Sequence, residues 1–344
     1  MSLMMQEIFE QPQALERTFR AEREHAREFE RFARGRNFRL VVLVARGTSD
    51  NAALFGRYLI ELTTGIPVSL AAPSIHTLYH ARLDFRDALV VGISQSGEGT
   101  DINLVLKAAR REGAVTLGIT NEARSTMAGL VDELFLVRAG RQHSVAATKT
   151  YTGQLLLLYL LASALGRHIT LARVGEIPGR VKQALNLAGE IQALAERYRY
   201  MRQCAVVARG INYANAYELA LKLMETCYVV SERFSSADFL HGPIALIERD
   251  FPVLMIMPEG KTFADLKKLI GGLKRLRADT LVISSDTARL PREVHTIRVP
   301  GLMPEIYSPI PYIVPGQLFA ASLAKVKGLD PDKPRSLKIV TKTV

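Results

Sequence analysis

The chain has no tryptophan and only two cysteines among its 344 residues. Cys204 and Cys227 stand in apolar contexts, without metal-ligand neighbours at useful spacing. A disulfide scaffold and a cysteine-rich metal site are therefore excluded, and reduced structural thiols in a cytoplasm are expected. No stretch approaches about 18 uninterrupted apolar residues, so no transmembrane helix is expected. The opening Met1-Ser2-Leu3-Met4-Met5-Gln6-Glu7 has no basic segment followed by an apolar one, so a secretory signal is not expected either. Acidic residues are outnumbered: 34 Asp and Glu against 45 Lys and Arg leave a net charge of +11. Such a balance can mark a nucleic-acid binder. Here, however, the basic residues are spread along the chain, and nothing reads as a zinc finger or an RNA-binding motif. Neither nucleic acid nor a membrane is expected as a partner. A basic surface that steers small phosphorylated substrates explains the charge at least as well.

What the chain does contain is an alternation of apolar runs and helical patterns. Residues 13 to 36 carry a partial helical stripe, Leu15, Phe19, Ala26, Phe29 and Ala33, on an otherwise charged and solvated helix. The runs Leu40–Val44, Val68–Ala71, Ala88–Ile93, Ala114–Thr120 and Glu133–Val137 read as strands. Helical patterns separate them, which predicts a parallel sheet covered on both faces. An apolar helix is expected over 144–166 and a charged helical region over roughly 180–200.

The stretch Gly92-Ile93-Ser94-Gln95-Ser96-Gly97-Glu98-Gly99-Thr100-Asp101 joins a buried strand to a helix. Its glycines let the backbone approach a ligand. Hydroxyls and the free N–H groups of a helix start hydrogen-bond an anion, and the helix dipole favours negative charge there. The stretch reads as a phosphate cradle. Alone it is a weak signal, because Ser, Thr and Gly also make ordinary turns and N-caps. Arg46-Gly47-Thr48-Ser49-Asp50 repeats the same grammar after an earlier strand. In parallel sheets, ligands sit at the carboxyl ends of the strands, where both turns lie.

The chain then repeats itself. Val44-Ala45-Arg46-Gly47 returns as Val207-Ala208-Arg209-Gly210, 163 residues on. Thr116–Thr120 returns at Thr280–Ser284, and Phe135-Leu136-Val137 at Ile297-Arg298-Val299. The fold expected is α/β, as two tandem duplicated, doubly wound parallel-sheet domains. At the cradle the copies differ, since the second has Met257-Pro258-Glu259-Gly260, which removes both serines and adds a carboxylate. The second copy is not expected to bind phosphate there. Its distinctive segment is Glu218-Leu219-Ala220-Leu221-Lys222-Leu223-Met224-Glu225, which puts Glu218, Lys222 and Glu225 on one helix face. Such a row is often a surface ion-pair ladder. Here it follows a strand-glycine turn directly, so its early part is expected near the sheet's functional edge.

Taken together, these segments resemble the tandem sugar-isomerase (SIS) domains of sugar-phosphate enzymes. The resemblance extends to the isomerase half of glutamine–fructose-6-phosphate amidotransferase and to stand-alone amino-sugar-phosphate deaminases and deglycases. It runs from Glu7-Ile8-Phe9-Glu10-Gln11-Pro12 through Val145-Ala146-Ala147-Thr148-Lys149 and His241-Gly242-Pro243 to Val314-Pro315-Gly316-Gln317-Leu318 and Pro334-Arg335. It implies flavodoxin-like domains: a helical segment over 1–36, SIS domains over 37–170 and 171–325, and a tail over 326–344 that closes the site. By the same resemblance Thr48, Ser49, Ser94, Gln95 and Ser96 hold the sugar phosphate. Thr100 takes the role of a threonine that usually follows Ser-Gly-Glu directly. Val145 lies beside the sugar, and Ala147 replaces a common serine.

Proton transfer between sugar carbons 1 and 2 maps onto Glu225, with Glu218 and Lys222 in its helix. One carboxylate suits a cis-enediol mechanism. His241 matches a ring-opening histidine that crosses from a neighbouring subunit, which implies a homodimer; on its own it reads as an ordinary loop histidine. No metal or organic cofactor is needed. The tail lysine of the family falls on Ile339, with Lys338 one residue earlier and placed to serve instead. Neither cysteine is placed as the N-terminal nucleophile that releases ammonia from glutamine, so glutamine-dependent chemistry by this chain itself is not expected. The activity implied is that of a sugar-phosphate isomerase or amino-sugar-phosphate deaminase. A fructosyl-amino-acid-phosphate deglycase and a non-catalytic sugar-phosphate-binding module are the alternatives.

Overall fold

The computed structural model describes residues 1–337. By its internal contacts the chain divides into two compact units. One comprises Met1–Phe9, His143–Ala146 and Gly179–Ser336, and the other Glu10–Gln142 with Ala147–Pro178. Each holds one five-stranded, all-parallel sheet.

The unit built from Glu10 onward contains β1 (Leu40–Val44), β2 (Val68–Leu70), β3 (Ala88–Ile93), β4 (Val115–Thr120) and β5 (Glu133–Leu136), in the order β2-β1-β3-β4-β5. The inner strands are buried almost throughout because both of their faces are covered. After α1 (Leu3–Phe9), which belongs to the other unit, the helices are α2 (Gln11–Arg34), α3 (Thr48–Thr64), α4 (Ser74–Thr77), α5 (Thr100–Arg111) and α6 (Lys149–Leu165). Val42, Val44 and Val90 pack with Ile102, Val105 and Leu106 of α5 on one face. On the other face α3 lies so close that a Cβ at Gly56 would meet Leu43 and Leu158 within about 3 Å. The helix α6 is apolar on every side and almost wholly buried. It begins at Lys149, not at 144 as its composition predicts. Residues 143 and 144 are held outside it by Glu7, whose carboxylate accepts from the His143 and Ser144 backbone N–H groups at 2.6 and 3.3 Å.

The other unit repeats the plan with β6 (Gln203–Ala208), β7 (Val230–Ser235), β8 (Pro252–Ile256), β9 (Asp279–Ser284) and β10 (His295–Arg298). Its order, β7-β6-β8-β9-β10, is that of the first sheet. Every strand starts 162 to 164 residues after its counterpart. The charged region expected over 180–200 is two helices, α7 (Leu171–Leu185) and α8 (Ala188–Ala195), and α7 starts well upstream, in the preceding unit. They are followed by α9 (Tyr213–Cys227), α10 (Ser236–Leu240), α11 (Phe263–Arg275) and α12 (Pro309–Val326). Phe263, Leu266, Ile270 and Leu273 of α11 pack on Val207, Val253 and Met255. The carboxylate of Asp332 accepts from the Leu3 and Met4 N–H groups at 2.6 and 2.8 Å, capping α1. Among the described residues, no helix is long and apolar enough to cross a membrane. Both cysteines are free and buried, and burial pushes the Cys204 thiol up to about 12 and that of Cys227 up to about 11.

Candidate active site

The strand order reverses between β1 and β3, the topological switch point at which open parallel sheets take ligands. Both hydroxyl-rich turns leave the carboxyl ends of these two adjacent strands. Thr48 opens α3 and Thr100 opens α5, so two helix N-termini meet the same edge. Gly47 has φ +56° and Gly97 φ +66°, a region that side chains rarely enter. A Cβ at Gly97 would also collide with Ser125.

The cradle is held from within. Ser94 Oγ accepts from the Gly97 N–H at 3.1 Å, and Ser96 Oγ accepts from the Glu98 N–H at 3.2 Å. The Gln95 carbonyl accepts from the Asn121 N–H at 3.1 Å. Glu98, the one acid in the turn, has its carboxylate engaged elsewhere: it accepts from Thr126 N and Oγ1 at 2.8 and 2.7 Å. Arg46 is tied to Asp101 at 2.6 Å, and that carboxylate is buried.

Two features of this edge escape a reading of the sequence. One is Asp101 as the partner of Arg46. The other is Gln154 on α6, whose Nε2 donates to Ser49 Oγ at 2.9 Å in a fully buried pair. A signal for the latter was present: Gly153-Gln154-Leu155 returns as Gly316-Gln317-Leu318 at the same 163-residue offset.

In the other unit, Glu218 and Lys222 are not a surface ladder, for both are completely buried. The Lys222 ammonium lies 2.5 Å from Glu225 Oε2 and 3.5 Å from Glu218 Oε1. Burial works against its charge, but the two carboxylates outweigh burial and hold its pKa above the ordinary lysine value. Glu225 keeps 21% of its side chain exposed. The row starts in the second turn of α9 and ends in its last turn. At 1.5 Å rise per residue, Glu225 therefore lies about 18 Å along the helix from the carboxyl edge of β6. The expectation of a position near that edge holds only for the start of the row.

Tyr228, in the left-handed conformation at φ +53°, terminates α9. Its hydroxyl accepts from the Arg335 N–H at 3.0 Å, and the Arg335 guanidinium lies 4.3 Å from its ring centre. The start of the tail is thus pinned three residues beyond Glu225. Lys338 lies outside the described residues. His241 is exposed at the C-terminal end of α10, and Val145 is half-buried in the loop pinned by Glu7. In the second copy of the cradle, the carboxylate that matters is not Glu259, which pairs with Arg289 at 2.9 Å. Glu305 fills the start of α11, accepting from Lys261 N at 2.6 Å and Thr262 Oγ1 at 2.5 Å.

A family model described as the SIS domain matches residues 37–164 and again 199–326. The chain belongs to the SIS domain family. Among its SIS relatives, the glutamine–fructose-6-phosphate aminotransferase (isomerizing) of Pyrococcus horikoshii is 36% identical over 97% of this chain and 56% of its own length. The chain spans about half the length of the curated relatives it matches. In three dimensions it is similar to the C-terminal domain of glucosamine-fructose-6-phosphate aminotransferase from Francisella tularensis. That match has a TM-score of 0.87 and 25% identity, over 96% of this chain and 98% of that one. A glucosamine-6-phosphate deaminase from Thermotoga maritima shares the fold at TM-score 0.80 and 23% identity, over 99% and 100% of the two chains.

Proposed function

We propose that this chain carries the isomerase chemistry of an amino-sugar-phosphate enzyme. It would act on a hexose-6-phosphate such as glucosamine-6-phosphate or fructose-6-phosphate, with aldose–ketose isomerisation coupled to loss or gain of an amine. Thr48, Ser49, Ser94, Gln95, Ser96 and Thr100 would anchor the phosphate, and Val145 would line the sugar. Glu225 would carry a proton between carbons 1 and 2 of the opened sugar. Its Oε2 is engaged by Lys222, which leaves Oε1 for the proton in transit. Glu218 would hold Lys222 in place, and His241 would open the ring. Lys338 is the candidate amine for an imine with the open sugar.

The observation that carries this reading is the buried Glu218–Lys222–Glu225 row. A core that needed only stability would bury apolar residues there, because desolvating charges costs more than most pairings return. Phosphate binding alone needs none of the three. The reading extends to residence in the cytoplasm, in keeping with two free, buried cysteines, and to a homodimer, since Leu240 and Leu246 are both more than half exposed close to His241.

Incubation with glucosamine-6-phosphate tests it, with ammonia and fructose-6-phosphate both measured. Matched release of the two, cut by about 10²–10⁴-fold in Glu225→Gln, is expected. Equal turnover in the variant would refute the assignment of Glu225. No release, with the sugar phosphate still raising the melting temperature, would point to a fructosyl-amino-acid phosphate as substrate.

A further inference from the structure

We propose that Gln154 is a positioning residue that sets the polarity of the phosphate cradle: by donating to Ser49 it commits the Ser49 hydrogen to the ligand, and the cradle as a whole selects a phosphate dianion. The inference rests on the phosphate-cradle reading above.

A hydroxyl has one hydrogen to give and lone pairs to receive. At Ser49 the oxygen already receives, from Gln154 Nε2 at 2.9 Å. Ser94 Oγ receives from the Gly97 N–H, and Ser96 Oγ from the Glu98 N–H. All three serine oxygens are thus supplied from inside the protein, and each keeps its hydrogen for an incoming group. The N-termini of α3 and α5 present further donors to the same edge. Glu98, which could have served as an acceptor, is bound to Thr126. A ring of donors favours a ligand that only accepts. The monoanion of a phosphate monoester carries a hydroxyl that needs an acceptor, whereas its dianion and sulfate carry none.

The cost to the fold supports a role for Gln154 beyond packing. Its Oε1 is buried with no partner among the described residues. An unpaired buried amide oxygen destabilises, and the residues after it on α6 are leucines, Leu155 to Leu158. A leucine at 154 would avoid the penalty but could not donate to Ser49.

The test uses calorimetric titration of the full chain with methyl phosphate, a phosphate monoester, and with sulfate between pH 5 and 8. In the unaltered protein, phosphate affinity should rise with pH as its second ionisation, near about 6, completes, while sulfate affinity stays level. Identical pH dependence for the two anions would overturn the proposal without any variant. In Gln154→Glu, a carboxylate takes the Ser49 hydrogen. Sulfate affinity at pH 8 should fall by at least about tenfold and recover towards pH 5, where the carboxyl regains a proton and donates again. Gln154→Leu should lose about threefold or less at every pH, with an equal or higher melting temperature. Equal sulfate affinity for the two variants at all pH values would reduce Gln154 to a packing residue. Binding of neither anion by the unaltered protein, or undiminished binding in Ser94→Ala, would instead refute the cradle reading itself.

Discussion

Where α3 of one repeat buries Phe55 and Leu59, α9 of the other buries Glu218 and Lys222 at the matching positions. The next residue of each face is Leu62, 63% exposed, against Glu225, partly exposed. Topology, strand register and helix placement are the same in both repeats, so the backbone does not require the charges. One copy uses this face as ordinary core. The other replaces two core residues with an ion pair that a stable fold does not need. The cradles differ in the opposite sense. Ser94-Gln95-Ser96-Gly97 is the proposed anion site and takes no carboxylate in its serine hydrogen bonds, while its counterpart is filled by the protein's own Glu305. A Cβ at Gly260 would lie 2.3 Å from Glu305 Oε2, which shows how tightly that carboxylate is seated. The copies thus differ at one turn and at one helix face, the carboxylate-filled turn and the charged face both lying in the second copy.

The sharpest way to break this comparison is to remove the cation alone. Lys222→Met leaves Glu218 buried without its partner and should cost about 3–5 kcal/mol, read from urea unfolding. A loss below about 1 kcal/mol would mean that the row is not the desolvated network described here. Making the second helix like the first comes next. The double change Glu218→Leu with Lys222→Leu should leave stability level or raise it by up to about 4 kcal/mol, while abolishing any turnover. Should the double variant unfold as readily as Lys222→Met, the charges would be serving the fold after all.

A smaller effect is expected at the closed cradle. Glu305→Ala removes the carboxylate that satisfies the start of α11, and stability should fall by about 1 kcal/mol. Added sulfate should stabilise the variant by more than the parent, in which only the first cradle is open to it. An equal rise in melting temperature with sulfate in both would show that the second edge has lost its affinity for anions altogether.

The smallest effect concerns a polar clamp between α2, which precedes the matched repeats, and the last strand of the first sheet. His25 lies 3.4 Å from Glu22 and 3.1 Å from Glu133, and Glu22 also accepts from Arg138 at 2.6 Å. The Glu22 hydrogen bond leads in raising the His25 pKa; burial opposes it, and Glu133 adds to it. Burial pushes Glu22 up, but His25 and Arg138 together leave it below its ordinary value. The raised histidine contributes stability that is complete below its unfolded value, near about 6.5, and lost as pH rises through the folded one. The lowered glutamate contributes above its unfolded value and loses that contribution as pH falls through its folded one. The clamp is therefore strongest between the two ordinary values, roughly pH 4.5 to 6.5. Replacing His25 with Ala should flatten the alkaline side by about 0.5–1 kcal/mol. An unchanged pH profile of melting would rule the clamp out as a pH-dependent contact.

Much of the architecture was legible because it rests on local physics. Apolar runs marked all five strands of the first sheet, and the 163-residue repeat predicted the shared topology. The charged helices were less legible. A Glu-Lys-Glu row at i, i+4 and i+7 has the same pattern whether water or a packed helix covers it. Burial is a property of what packs against α9, and that is set by α12, which lies nearly a hundred residues later. The start of α6 was misplaced for a similar reason. The apolar pattern runs back to residue 144, but Glu7, distant in sequence, holds His143 and Ser144 by hydrogen bonds outside the helix.

By itself the amino-acid order determined the parallel sheets, the duplication, the two hydroxyl-rich turns and the one-sided charge row on α9, since each shows in the residue types of short local runs or in the recurrence of such runs. Tertiary structure alone decided that Lys222 is desolvated between two carboxylates, that Glu305 rather than Glu259 closes the second cradle, and that Gln154 supplies the Ser49 oxygen. Each of these joins side chains whose distance and burial arise only when separate segments pack.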